Sequence, residues 1–166
     1  MTDSALGQLG VDLDATYTSA GELPYPQGEV VRTKNGAAFI GRAVSGVAAY
    51  SLVFYTPASA QASASVDLFL ASVANVSGKL AGVAMTSIAS AQYGWVHTEC
   101  NKEGKVRCAA AETGVPLFLT TTGGQVDDAV TSGKALIGLH ILASVTSAST
   151  PPAIWRNIAL DRSTIA

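Results

Sequence analysis

The sequence predicts an all-β protein: a small antiparallel β-barrel over residues 29–146, preceded by an extended N-terminal arm (1–28) and followed by a C-terminal docking segment (147–166). Three observations lead there. Short runs rich in Val, Ile, Phe and Tyr recur between Pro, Gly and Ser/Thr clusters, which is the spacing of short strands joined by turns. No apolar stripe of helical period is sustained, and the Ala-rich stretch Ala58–Ala64 is interrupted by serines, leaving room for one or two short helical turns. Finally, 166 residues make about one domain, long enough to bury roughly two thirds of the unfolded surface.

The arm carries Pro24-Tyr25-Pro26-Gln27-Gly28 and no sustained period, so it reads as an extended path with little core of its own. From Glu29 the pattern changes. EVVRT and AAFIGRA flank Lys34-Asn35-Gly36, where Asn35 and Gly36 suit the positive φ angles of a two-residue hairpin. Further strands are expected at Tyr50–Tyr55, Val66–Ser72, Leu80–Ile88, Trp95–Cys100, Lys105–Ala110, Leu117–Thr121 and Leu136–Ser144. Asn101-Lys102-Glu103-Gly104 reads as a hairpin turn, with Asn opening it and Gly in a left-handed bulge. That turn sets Thr98 opposite Cys108 and Val96 opposite Ala110 on an apolar face, with Glu99 opposite Arg107 on a wet one.

A weak echo links Ser77-Gly78-Lys79 before Gly82 with Ser132-Gly133-Lys134 before Gly138. It marks two similar turn-and-strand units or two unrelated turns. After Pro151-Pro152 the tail AIWRNIALDRSTIA brings Trp155, Ile158 and Leu160 together; Trp155 either anchors a partner or folds onto its own barrel.

Charged residues are only 13% of the chain against about 25% in an average soluble domain, while 48% are hydrophobic. Such a surface expects partners to cover part of it. The net charge of −2 offers no basic footprint, which disfavours nucleic acid. The N-terminus lacks the basic and apolar regions of an export signal, and the longest apolar run, Ala135–Val145, contains His140 and Ser144, so neither export nor a membrane span is expected. Cys100 and Cys108 lack the spacing of a zinc site and, as diagonal neighbours in the expected hairpin, stand beyond disulfide reach; two reduced, buried thiols follow, consistent with synthesis in the cytoplasm.

No chemistry assembles. His97 and His140 have no ligand partners at metal spacing, and His97 is expected on the wet hairpin face, opposite Cys100. Asp127 and Asp128 are adjacent and point apart or into solvent. Thr120-Thr121-Thr122-Gly123-Gly124 lacks the lysine of a phosphate loop, and Gly7–Gly10 is equally incomplete. No catalytic residue, cofactor or metal is expected.

Gly82–Val96 with its Tyr93-Gly94-Trp95 step, the Cys100–Cys108 segment and Pro116–Ile141 with Gly124, Asp127, Asp128 and Gly138 together resemble the head-decoration (capsid cement) proteins of tailed bacteriophages, over about residues 29–146. The resemblance implies a barrel of the β-tulip type, a homotrimer on the outer surface of the expanded capsid, and the major capsid protein as partner. The arm and tail are not clearly matched. Leu23, Tyr25, Trp155, Ile158 and Leu160 are the interface residues expected from them. The alternative is a virion fibre domain or a receptor- or carbohydrate-binding module.

Overall fold

A computed structural model describes residues 12–57, 66–72, 79–130 and 135–161. The Ala58–Ala64 stretch, Gly7–Gly10 and most of both Ser-Gly-Lys turns lie outside them. Eleven strands occur among the described residues: β1 Thr16–Tyr17, β2 Val31–Thr33, β3 Gly36–Ala43, β4 Ser51–Pro57, β5 Val66–Leu70, β6 Lys79–Ala84, β7 Tyr93–Lys105, β8 Leu117–Leu119, β9 Val126–Asp127, β10 Ala135–Ile141 and β11 Pro152–Leu160. A single 3-10 turn, Ala20–Glu22, follows β1.

The hairpin at Asn35 forms one residue earlier than expected. Thr33 pairs with Gly36, so Lys34 and Asn35 are the loop and Gly36 already belongs to β3. The pairings β3–β5, β5–β4, β4–β6, β6–β7 and β7–β3 close a five-stranded barrel. All are antiparallel except β3–β5, which sets Arg42 beside Asp67 and Ala43 beside Leu68 in parallel. The barrel is thus mixed where a purely antiparallel one was expected. A parallel neighbour needs a crossover, and β4 supplies it by pairing with β5 on its far side.

The Asn101–Gly104 hairpin does not form. β7 runs straight through it for 13 residues, pairing first with β3 and β6 and then with β11, which sets Glu99 beside Arg156 and Gly104 beside Ala153. A local turn would satisfy a few backbone groups; β11 instead pairs with β7 from Glu99 to Lys105, taking up the segment the turn would have used. Gly104 serves packing instead: a Cβ there would fall on the Trp155 ring and lie 2.9 Å from Ala153 O. The C-terminal segment departs from expectation in the same way. It is not a separate docking piece, because β11 sits between β7 and β10 as an inner strand of a second sheet ordered β7-β11-β10-β8-β9.

Three cores result. Phe39, Val53, Leu68, Ala84 and Val96 fill the barrel, and Val47 and Ile88 join them from the loops after β3 and β6. Leu52, Phe54 and Val83 face outward from the same strands into a larger core with Cys100, Leu117, Leu139 and Trp155. A third cluster places Leu13, Val31, Ala38 and Ile40 around Trp95, with Tyr17, Leu23 and Tyr25 of the arm packed on it. Residues 12–28 of the arm therefore lie on their own barrel.

The echo in the sequence belongs to a larger repeat. Loops 44–50 and 85–92 are clasped by reciprocal bonds, Val47 N–H to Ile88 O and Ile88 N–H to Val47 O, both 2.8 Å. Ala111 and Val145 clasp loops 109–116 and 142–149 in the same way, at 2.9 and 2.8 Å. In the first clasp Ala49 N–H donates to Ser87 Oγ (3.1 Å); in the second Thr113 N–H donates to Ser144 Oγ (2.9 Å). Three residues beyond Val47, Ile88 and Ala111 stand the left-handed Tyr50, Ala91 and Gly114, at φ 64°, 64° and 86°. Gly82 and Gly138, on the strands that enter loops 85–92 and 142–149, are left-handed as well, at φ 146° and 78°, and a Cβ on either would strike a neighbouring carbonyl, of His97 or Arg156. Both sit where the ladder slips register, and such bulges bend a sheet.

Candidate docking surface

The five residues expected at an interface divide between two cores of this chain. Trp155 and Ile158 are 2% and 6% exposed and belong to the large core, with Leu160 half-buried against it. The Trp155 indole N–H donates to His97 O at 2.8 Å. Pairing on both sides of β11 turns these side chains inward, so Trp155 and Ile158 are not presented to a partner. Leu23 and Tyr25 are half-buried beside Trp95, the Tyr25 ring meeting it edge-on at 6.1 Å.

His97 is buried, not on a wet face, because both neighbours of β7 flank it. Neither cysteine is in a disulfide and both are buried, as expected. Cys100 Sγ donates to Lys102 O at 3.1 Å. Burial pushes the Cys108 thiol up to about 12, with the carboxylates of Asp127 and Asp128 adding to the shift, so it is protonated and inert at neutral pH. Asp127 and Asp128 tie down turns: Asp127 Oδ1 accepts from Ala129 N–H (3.1 Å) and Asp128 Oδ2 from Glu112 N–H (2.9 Å). Gly123 and Gly124 form a packed turn, with Leu52 N–H donating to Gly124 O at 3.0 Å. Among the described residues no cluster of three or more His, Cys, Asp or Glu could hold a metal, and no helix is long and apolar enough to cross a membrane.

Glu99 is the centre of a charged row that sequence reading missed. Arg32 holds it at 3.0 Å and Arg156 at 3.8 Å, in place of the expected Arg107. Arg32 pairs with Ala37, Ala37 with Glu99 and Glu99 with Arg156, so the row crosses β2, β3, β7 and β11. Beside it an open cleft of about 140 Å³ lies over β7, β11 and β10. Cys100, Ile154 and Trp155 supply its apolar part; Asn101, His140 and Arg156 supply polar groups. Exposed Ile137 and Leu142 lie within and just past β10. Nothing in the sequence marked this place, since its residues come from three strands distant in the chain.

No protein-family model and no curated protein matches the sequence. Among solved structures, the N base of the head fibre gp8.5 of bacteriophage phi29 superposes on 75% of this chain and 97% of its own, with a TM-score of 0.53 and 15% identity. The chain shares the fold of a phage head-fibre base. At that identity the likeness is one of architecture.

Proposed function

We propose that this chain is a structural virion protein of a tailed phage, which binds the outer surface of the expanded head as a homotrimer and bridges subunits of the major capsid protein. The observation that carries the reading is the shared fold with a phage head-fibre base. The low charge content supports it, since a surface with 13% charged residues gains by being covered. The order of motifs in Gly82–Val96 and Pro116–Ile141 resembles cement proteins of the β-tulip type and points to the same location. The work is additive binding: each copy stabilises the shell by mass action on the assembled state, without catalysis, cofactor, membrane or nucleic acid. With Trp155 and Ile158 buried, the exposed strand faces are the surface proposed for contact.

A second reading is favoured by the neighbour itself: the chain is the base of a head fibre. Purified protein mixed with undecorated expanded heads separates the two. Saturable co-sedimentation with a rise in the temperature at which the heads break is the outcome expected of cement. Binding without added heat resistance favours the fibre base, and no binding overturns both. Light scattering checks the assembly, where a monomer at micromolar concentration would sink the trimer.

A further inference from the structure

We infer that the cleft over β7, β11 and β10 is a carboxylate-binding site that receives an acidic side chain from a loop of a partner protein. Only the partner's identity, a shell subunit, rests on the virion reading. Three independent observations meet at the cleft.

The first is backbone geometry. Ile137 pairs with Ala159 and Leu139 with Trp155, so β11 spends Arg156, Asn157 and Ile158 where β10 spends Gly138 alone. Asn157 stands in the left-handed region at φ 50°, opposite left-handed Gly138. A non-glycine residue in that region stores strain, and bulges of this kind re-aim side chains beside binding sites. Here the bulge begins at Arg156, whose side chain is 73% exposed.

The second is the lining. Arg156, His140 and Asn101 line the cleft beside half-buried Ile154, with Trp155 and Cys100 buried beneath them. A guanidinium fork beside further hydrogen-bonding groups fits a carboxylate. Exposed Ile137, next to the lining residue Gly138 in β10, suits an apolar neighbour of the acidic residue.

The third is charge. Arg32 and Arg156 flank Glu99, while Lys102 follows Asn101 in β7 and Lys34 precedes Asn35, whose carbonyl accepts from Asn101 N–H at 2.7 Å. Arg156 of this row lines the cleft, and Lys102 adjoins the lining residue Asn101, in a chain whose net charge is −2. Glu99 is held more closely by Arg32, at 3.0 Å, than by Arg156, at 3.8 Å, which leaves the Arg156 fork for a second carboxylate.

The test titrates the full-length, ¹⁵N-labelled chain with acetyl-Leu-Glu-Leu-amide and its Gln counterpart. The Glu peptide is expected to shift the amides of Asn101, Gly138, His140 and Ile154 and to bind at least about ten-fold more tightly than the Gln peptide, as losing one charge-assisted bidentate contact implies. Arg156→Gln removes that preference while the melting temperature holds, since the side chain is exposed. Equal binding of the two peptides, or no shifts at these amides, overturns the site. Loss of self-association in Arg156→Glu, seen by light scattering, would assign the cleft to a second copy of this chain and overturn the partner named. The titration uses no heads: a positive result without head binding overturns the virion reading and keeps the cleft, and the reverse keeps the reading and overturns the cleft.

Discussion

Cys108 shows how much a residue's chemistry depends on where the chain puts it. Its spacing from Cys100 suggested a hairpin neighbour; the fold instead bridges Cys108 to Val126 and Ser149 and buries it beside Asp127 and Asp128. The thiol is raised from an ordinary 9.0 to about 12, so the folded state favours its protonated form. Its contribution to stability is complete below about pH 9 and is lost as the pH rises toward 12. At pH 8 the native protein is expected to give no thiol reaction with Ellman's reagent within minutes and two thiols in denaturant; prompt native reaction at the unfolded rate would contradict the burial of both. Trp155 teaches the same lesson about shape. A tail tryptophan looked available to a partner, yet the bare backbone of Gly104 makes room for its ring inside the core.

Among elements, the clasps make the clearest prediction. Ser87 and Ser144 each accept one backbone N–H, from Ala49 and Thr113, at corresponding places in the two loop pairs. Ser87→Ala and Ser144→Ala should therefore each cost about 1 kcal/mol, the usual net worth of such a bond, and their effects should add, since they close different cores. Denaturant melts of the two single variants and the double variant check this; a cost at one clasp and none at the other would show that the two are not equivalent in energy. The echo around Gly82 and Gly138 was the only trace of this repeat in the sequence. The remainder is backbone hydrogen bonding, which Ala, Ser and Val support without a distinctive signature.

On the scale of the whole molecule, strands shared between cores bind it into one unit. β4 sends Val53 into the barrel and Leu52 and Phe54 into the larger core, and β7 sends Trp95, Val96 and Cys100 into three different clusters. Neither sheet can lose β7 and keep its own core. A single cooperative unfolding transition is expected, with Trp95→Phe and Trp155→Phe variants, each carrying one reporter, showing one midpoint by fluorescence and by circular dichroism alike. Separate midpoints for the two probes within one variant would mean that barrel and second sheet unfold independently.

The sequence by itself determined the fold class, most strand positions, the Asn35 hairpin, the buried reduced thiols and the scarcity of charge, because each follows from local composition and a two-residue period. Only the tertiary structure decided that Asn101–Gly104 stays extended, that the tail is an inner strand, that His97 is buried and that Arg32, Glu99 and Arg156 form one row. The physical reason is the same in each case. A strand's backbone groups are satisfied by whichever partner reaches them, and for the Glu99–Lys105 part of β7 that partner is β11, about 50 residues further along the chain. A local turn signal carries no information about a competitor that far away.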